Sequence, residues 1–293
     1  MVQVPKQQIP GVYHRLIGDI VVTALSDGYL DGTVEVLQSI KPDEAERMLA
    51  EAFRPGRRTS VNCFAIHSAG RLALIDTGSG NYLGPTAGKL QHNLAASGIE
   101  ASGIEAVLLT HMHPDHSAGL TDPATGRRLF PQAELIVHEN DPRHWDDDAR
   151  MAAADARAKT LYFESAREQI APYRDRLRPF SARREVFPGV TAIPLPGHTP
   201  GHSGYLVASG SEQLLIWGDI IHVPEIQVTR PEVTIAFDTD PHEAAATRRR
   251  TFEWVATDRL LVGGMHVHYP GFAHVTRRGE GFVLLPEPWI HAF

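Results

Sequence analysis

Three histidines and one aspartate fall within six residues of the segment THMHPDHSAGL, at His111, His113, Asp115 and His116. In extended backbone, alternate side chains point the same way, so His111 and His113 can bind one metal ion together. Pro114 should turn the chain, which lets Asp115 and His116 face a second ion. Imidazole and carboxylate suit Zn(II), and also Mn(II), Co(II) or Fe(II). The segment therefore predicts two divalent metal ions, and Zn(II) is the favoured metal.

Further residues of metal-binding type follow other apolar strands of the sequence. They are Asp76, His198, Asp219 and His266. Groups at strand ends can converge on one edge of a sheet sandwich, and the strands hold them rigidly. Two neighbouring ions need a bridging carboxylate, and Asp219, in the segment Trp217-Gly218-Asp219, is the natural candidate.

This residue set predicts hydrolysis by a metal-bridging hydroxide. Two divalent ions can lower the pKa of a bound water from 15.7 to roughly 7, so that hydroxide attacks a carbonyl or phosphoryl centre at neutral pH. Asp115, Asp219 or His222 could carry the proton to the leaving group. Covalent catalysis is the competing chemistry, but the sequence has no G-x-S-x-G segment. Cys63 lies in the apolar stretch 61–66, where a buried, inert thiol is expected.

The cluster from His111 to His116 resembles the HxHxDH signature of the metallo-β-lactamase superfamily. The segments DTG at 76–78, GHTPGH at 197–202 and GD at 218–219 also match. The resemblance implies an α/β (α+β) fold, the αββα sandwich, in which two mixed β-sheets are flanked by helices. It implies that Asp76 orients a ligand histidine. The ligand sets it implies are His111, His113 and His198 for one ion, Asp115, His116 and His266 for the other, and Asp219 for both.

Segments beyond the signature resemble the methyl parathion hydrolase branch of this superfamily, which also contains lactone and ester hydrolases. They lie at residues 23–28, 84–86, 218–223 and 266–272. The similarity implies a hydrolase of lactones or aryl esters with organophosphate triesterase activity, and a homodimer. A dedicated phosphotriesterase is the alternative. The resemblance covers nearly the whole chain, as one domain over 1–293 with an N-terminal extension (about 1–58) and a helical insertion (about 141–180).

The substrate pocket is predicted from the same resemblance. It suggests that Trp145 and one of Tyr162 or Phe163 line the leaving-group pocket; the alternative is that these aromatics anchor the insertion by apolar burial. Leu83 stands where the phosphotriesterases place an aromatic residue, which disfavours a nitrophenyl group. We expect an apolar pocket that favours neutral, partly hydrophobic esters or lactones over phosphoanions, and no arginine cluster or Gly-rich phosphate loop is evident near the metal motif.

Other histidines have less certain roles. His222 occupies the position where some acyl-homoserine lactonases carry a tyrosine, which favours the methyl parathion hydrolase branch over such a lactonase. It could contact substrate, donate a proton, or pack beside the ligands. His268 lies two residues after His266 and could replace it as a ligand. His202 is interpreted as structural.

The elements that must position these residues can be predicted from hydrophobic patterning. We predict a turn at 26–28 and helices over 41–53, 84–97 and 241–256. Residues 141–178 are charged, Ala-rich and helix-prone. The predicted strands are 18–25, 61–66, 71–75, 106–109, 135–138, 190–195, 204–207, 214–217 and 260–262. This pattern predicts one α/β domain of two packed sheets with helices outside.

Composition restricts the class of protein and its partners. The 293 residues carry a net charge of -7 and no long basic block, so we expect no nucleic acid partner. Arg248-Arg249-Arg250 is predicted to be a solvated helix face. No 18-residue apolar run and no signal peptide are visible, although branch members often carry an export signal, so we expect a cytoplasmic protein without a membrane span. One cysteine excludes an intrachain disulfide.

An iron-dependent oxidoreductase on the same fold is a competing prediction. The intact HxHxDH motif and the lack of a flavodoxin-like extension argue against it. A binding module that has lost catalysis predicts missing ligands, and none is missing. Thioesterase, β-lactamase and nuclease activities stay open, although the nucleases usually carry an extra domain.

Overall fold

The structure, a computed structural model, describes residues 4–6, 8–279 and 281–292. The α-helices are α1 (Pro42–Glu51), α2 (Leu90–Ala96), α3 (Pro114–Ser117), α4 (Asn140–Trp145), α5 (Asp148–Ala153), α6 (Ala156–Ala158), α7 (Ser165–Ile170), α8 (Pro224–Gln227) and α9 (Pro241–Thr257). The strands are β1 (Val12–Ile17), β2 (Ile20–Gly32), β3 (Leu37–Gln38), β4 (Arg57–Ser68), β5 (Arg71–Ile75), β6 (Ala106–Leu108), β7 (Glu134–His138), β8 (Leu177–Phe180), β9 (Arg184–Phe187), β10 (Val190–Pro194), β11 (Ser203–Ser209), β12 (Glu212–Ile216), β13 (Thr234–Ile235), β14 (Leu261–Gly263), β15 (Phe272–Arg278) and β16 (Gly281–Pro286).

Two mixed sheets form the centre of the molecule. In the described residues, the first has the order β1-β2-β4-β5-β6-β7-β8 and the second the order β16-β15-β14-β12-β11-β10-β9. The strands from β5 to β8 are parallel, as are β12 and β14, and the other pairs of these two sheets are antiparallel. The strands β3 and β13 pair separately.

Three apolar layers hold the sheets and helices together. Ile66 and Leu108 of the first sheet meet Val207 of the second in the central core. The outer face of the first sheet packs against α2 and the 140–176 helices, and the outer face of the second packs against α9. Since each sheet is apolar on both faces, the stable arrangement is helix–sheet–sheet–helix. The predicted αββα sandwich is confirmed.

Two predicted element boundaries differ from those in the structure. Residues 26–28 do not end a strand, because β2 continues through a bulge at Ser26 and Gly28 with Gly28 at φ 111°. The helix predicted over 84–97 begins only at Leu90. Gly84 and Gly88 adopt φ 93° and 75°, a left-handed conformation that a right-handed helix cannot contain.

The segment 140–176 is helical, as its composition predicts, but it is broken into short pieces. A π-helical stretch, Lys159–Glu164, joins α6 to α7, and a 3-10 segment, Ala171–Arg176, follows. Strands β1, β3, β8, β9, β13, β15 and β16 were not predicted. In the described part of the chain, no helix combines the length and apolar character that crossing a membrane requires.

The prediction that Arg248 is solvated is wrong. Arg248 lies on the buried side of α9, whereas Arg249 and Arg250 are exposed. The guanidinium donates to the carbonyl oxygens of Ile220 (2.6 Å), Pro231 (2.8 Å) and Val233 (2.7 Å). Arg248 therefore fixes both ends of the loop after β12, and that loop contains Asp219 and His222 near its start.

Candidate metal centre

The motif histidines lie where β6 runs into α3. His113 is the residue before the helix and is extended (φ −66°, ψ 154°), and Pro114 occupies the first helical position. The fixed φ of proline suits a helix start. The backbone therefore changes from extended to helical between His113 and Asp115. As a result, the side chains before Pro114 and those after it point in different directions.

Asp219 lies at the centre of the cluster. Its Oδ2 is surrounded by Nε2 atoms of five histidines from four different loops. The distances are 3.0 Å to His222, 3.1 Å to His266, 3.3 Å to His116, 3.3 Å to His198 and 3.7 Å to His111. Beside it, His113 Nδ1 lies 3.0 Å from His198 Nε2, and Asp115 Oδ2 lies 3.4 Å from His266 Nε2.

In three of these histidines, the ring nitrogen that faces away from the centre contacts an oxygen atom, which orients the ring. Nδ1 of His116 lies 2.7 Å from Asp76 Oδ2, and Nδ1 of His198 lies 2.7 Å from Asp238 Oδ1. Nδ1 of His266 lies 2.7 Å from the carbonyl oxygen of Ser60. A hydrogen-bond acceptor beside Nδ1 places the ring proton on that nitrogen. The lone pair of Nε2 is then available to coordinate a metal ion at the centre of the cluster.

Asp76 adopts an unusual backbone conformation at the end of β5. Its φ of 58° lies in the left-handed region, which costs a non-glycine residue of order 1 kcal/mol or more. Hydrogen bonds from the Thr110 backbone N–H (2.8 Å) and hydroxyl (2.7 Å) to the two carboxylate oxygens hold it in place. Both the strain and the bonds serve to direct one carboxylate at His116.

His202 positions Asp219 without facing the centre itself. Its Nδ1 donates to the carbonyl oxygen of Leu195 (2.7 Å), and its Nε2 accepts from the backbone N–H of Asp219 (2.8 Å). Burial lowers the pKa of His202 to about 3, so the ring is neutral, as one donor and one acceptor require.

The residues fit a pair of divalent cations. Among the described residues, the buried atoms without a hydrogen-bond partner include His111 Nε2, His116 Nε2 and Asp219 Oδ1. An unsatisfied buried polar atom costs roughly 1–3 kcal/mol, and coordination to a cation would remove that cost. The ligand atoms of each compatible group lie within 4.8 Å of one another. The groups are His111, His113 and His198; His111, His116 and Asp219; Asp115, His116 and His266; and His198, Asp219 and His222.

The sequence profile of the metallo-beta-lactamase superfamily matches residues 56–254, which include every residue of the cluster except His266. The chain belongs to the metallo-beta-lactamase superfamily. Its fold is the metallo-hydrolase fold of that superfamily, with a His/Asp cluster suited to divalent metals.

Solved structures of the superfamily extend the likeness beyond the profile. The hydrolase AbOPH is 29% identical, with a TM-score of 0.91 over 97% of this chain and 100% of that one. The dizinc quorum-quenching lactonase AidC is 23% identical, with a TM-score of 0.90 over 96% of this chain and 99% of that one, and shows the same fold.

Curated relatives match over shorter stretches. The uncharacterized protein YobT of Bacillus subtilis (strain 168) is 26% identical over 147 residues, which are 50% of this chain and 56% of YobT. The chain spans about half, or less, of the length of the curated relatives it matches.

A cleft of about 270 Å³ opens onto the candidate metal centre. Leu83 and Tyr162 lie on its wall, and the Tyr162 ring packs against His113 with 4.8 Å between centroids. Trp145 and Phe163 do not line the cleft; they are 4% and 5% exposed and pack in the core. For Trp145, the placement in the leaving-group pocket is corrected to anchoring of the helical segment. Of the pair Tyr162 and Phe163, it is Tyr162 that lines the cleft, together with Leu161 of the same π-helical stretch, and Phe163 anchors the segment with Trp145.

The structure places His222 and His268 in different surroundings. His222 lines the cleft beside the cluster, and its ring stacks on that of His266 with 5.1 Å between centroids. His268 instead contacts Glu225, with 2.6 Å from Nε2 to Oε1, whereas His266 is fully buried at the centre. His266 is therefore the ligand candidate of the pair.

Three residues at or around the site were missed by sequence analysis. Asp238 lies in a loop, and nothing in its spacing links it to His198. Asp27 is buried and accepts from the backbone N–H groups of Ser79 (2.8 Å), Gly88 (3.1 Å) and Leu90 (2.9 Å), which fixes the loop that carries Leu83. Arg57 lines the cleft although it precedes the motif by more than fifty residues. Only Asp27 had a local signal, the SDG segment, and it was interpreted as a turn.

Proposed function

We propose that the protein is a dinuclear metal-dependent hydrolase of lactones or aryl esters, with organophosphate triesterase activity as a side reaction. One observation carries this proposal: Asp219 lies among histidines of both candidate ligand sets, and a cleft lined by His113, Asp115, His222 and His266 opens beside it. A cleft of about 270 Å³ is at the small end for ligand sites, which supports a small substrate.

The names of structural neighbours agree with this class of reaction. AbOPH is described as a hydrolase and AidC as a dizinc lactonase. We infer zinc from the same donor set, because imidazole with carboxylate is a common environment for Zn(II) in hydrolases.

The protein side chains divide the work of such a reaction. His111, His113 and His198 would hold one ion, Asp115, His116 and His266 the other, and Asp219 both. Bound there, two divalent ions supply Lewis acidity and a hydroxide at neutral pH. The chain fixes the ligands, and Leu83 and Tyr162 narrow the space around the scissile bond and restrict water.

Proton transfer requires a group that reaches the substrate. Asp115 lines the cleft and its side chain is 16% exposed, whereas that of Asp219 is 2% exposed. We therefore assign the proton shuttle to Asp115 in preference to Asp219. His222, which also lines the cleft, is the second candidate for contacting the leaving group.

Steady-state hydrolysis by the zinc-, manganese- and cobalt-loaded protein tests the proposal. The panel is an aryl lactone, an acyl-homoserine lactone, an aryl ester and a dimethyl phosphotriester. We expect kcat/KM to be highest on a lactone or ester. A dominant phosphotriester rate would support the alternative, a dedicated phosphotriesterase, and no turnover of any substrate would contradict the proposal.

We further propose that the protein is a homodimer. Large apolar side chains remain exposed at Ile9 (86%), Phe53 (94%) and Trp289 (75%), and a second copy could cover them. Light scattering after size exclusion tests this, and a monomer at micromolar concentration would contradict it.

A further inference from the structure

The cleft has the apolar side chains expected from the sequence, such as Leu83 and Phe237, but charged residues line it as well, and Arg57 is one of them. Arg57 begins β4, and its side chain is half-buried. Its Nε donates to the carbonyl oxygen of Thr33 (2.9 Å), and its Nη1 donates to the hydroxyl of Thr59 (3.2 Å). Nη2 has no acceptor within the described chain.

This arginine forms no ion pair with a carboxylate of the described residues. Within the described residues, no carboxylate oxygen lies within 4.0 Å of its nitrogens. The nearby Asp31 is engaged by Arg58, with bonds of 2.7 and 2.8 Å. Burial lowers the pKa of Arg57, but a guanidinium stays protonated at neutral pH. The Asp31 carboxylate raises the pKa of Arg57 from a distance but does not pair with it, so an anion that bonds the guanidinium directly would stabilise this partly desolvated charge further.

The fold makes room for this guanidinium. Nη2 rests against Gly32, at the end of the neighbouring strand β2, where a Cβ atom would overlap it. Thr59, which accepts from Arg57, also donates to the carbonyl oxygen of His222 (3.4 Å). Two hydrogen bonds therefore connect the arginine to a residue beside the metal centre, and both residues line one cleft.

A second arginine lies on the cleft wall. Arg157 of α6 lines the same cleft and is exposed. Asp31 and Asp115 also line the cleft, so the two arginines balance two carboxylates there, within a chain whose net charge is -7.

We propose that Arg57 binds a carboxylate on the substrate, so that the preferred substrates are esters or lactones bearing a free carboxylate a few atoms from the scissile carbonyl. This deepens the proposed hydrolase function and rests on it. Arginine matches a carboxylate through paired N–H donors, and two of its nitrogens are already fixed by protein oxygens. Arg57 would set specificity without taking part in bond cleavage.

Two matched aryl esters test the proposal. One is the mono-4-nitrophenyl ester of glutaric acid, and the other is 4-nitrophenyl hexanoate, which is similar in length but neutral. The proteins are the metal-loaded wild type, Arg57→Met, Arg57→Lys and Arg47→Met. The last removes the same charge from the exposed face of α1, away from the cleft.

We expect Arg57→Met to lower kcat/KM on the glutarate ester by about 10- to 100-fold, mainly through KM, and to change hexanoate hydrolysis by less than about threefold. Arg57→Lys should retain part of the selectivity, and Arg47→Met all of it. A purely structural role would lower both rates equally, and equal losses would overturn the proposal.

A binding measurement does not depend on turnover. Calorimetry should show tighter binding of glutarate than of butyrate to the wild type, with the difference lost in Arg57→Met. If no ester or lactone is hydrolysed, the proposed function fails, and this comparison still decides whether Arg57 binds a carboxylate. Equal binding of the two acids by the wild type would overturn the proposal.

Discussion

Asp238 Oδ1 lies 2.7 Å from Nδ1 of His198, so a carboxylate forty residues later in the chain orients a candidate metal ligand. The other oxygen of Asp238 accepts from the backbone N–H of Ile235 (3.0 Å), which fixes the carboxylate in turn. His198 is thus supported in the same way as His116, whose partner Asp76 was predicted from sequence.

Asp238→Ala should weaken metal binding by about 10- to 100-fold, as removal of an orienting carboxylate commonly does. Competition for zinc with a chromogenic chelator measures this. The matched control is Asp240→Ala, two residues away, which removes the N-cap of α9 and its bond to the Glu243 N–H (3.0 Å). That control should cost stability, about 1 kcal/mol, and leave zinc affinity unchanged. Equal zinc affinity in wild type and Asp238→Ala would contradict the assigned role.

Asp219→Ala should remove the carboxylate shared by both ligand groups. We expect less than two metal ions per chain and a loss of activity of roughly 100-fold or more, because charge stabilisation at the reacting centre is lost. Elemental analysis after dialysis gives the stoichiometry. Two retained metals with full turnover would rule out the bridging assignment.

Arg248→Met should destabilise the fold by several kcal/mol, on the order of 3, because three buried carbonyl oxygens lose their donor. Urea unfolding of the metal-loaded protein measures the change. Arg249→Met is the control, since that neighbouring side chain is exposed and should change stability by less than about 0.5 kcal/mol. Similar unfolding midpoints for the two variants would show that the buried bonds contribute little.

The fold and the ligand candidates were predictable because their signals are local. The HxHxDH segment places four ligand candidates within six residues, and the other candidates follow apolar strands that patterning reveals. Asp238, the Ser60 carbonyl and Arg57 carry no such pattern, because only the packing of distant segments brings them to the site. Arg248 was misjudged for a simpler reason. Three successive helical residues span about 200° around the axis, so one of them can face the core while its neighbours are solvated.

Asp141 gives a prediction for the pH dependence of stability. This buried carboxyl group accepts from Trp145 Nε1 (3.2 Å) and the Thr199 hydroxyl (3.1 Å), which joins α4 to the loop after His198. Burial raises the pKa of Asp141 to about 7. In the unfolded chain the group releases its proton near pH 4, so between about pH 4 and 7 the folded state binds more protons than the unfolded state.

The free energy of unfolding should therefore decrease as pH rises through that window, by an amount on the order of 4 kcal/mol from this group. Asparagine imitates the protonated acid, since its oxygen can accept from Trp145 while its amide donates to Thr199. Asp141→Asn should be close to the wild type at pH 5 and more stable than it at pH 8. Urea unfolding at both pH values, with saturating metal, measures the difference, and Asp122→Asn in an exposed loop is the control. Unfolding energies of Asp141→Asn and wild type that change in parallel with pH would show that Asp141 is ionised in the folded protein.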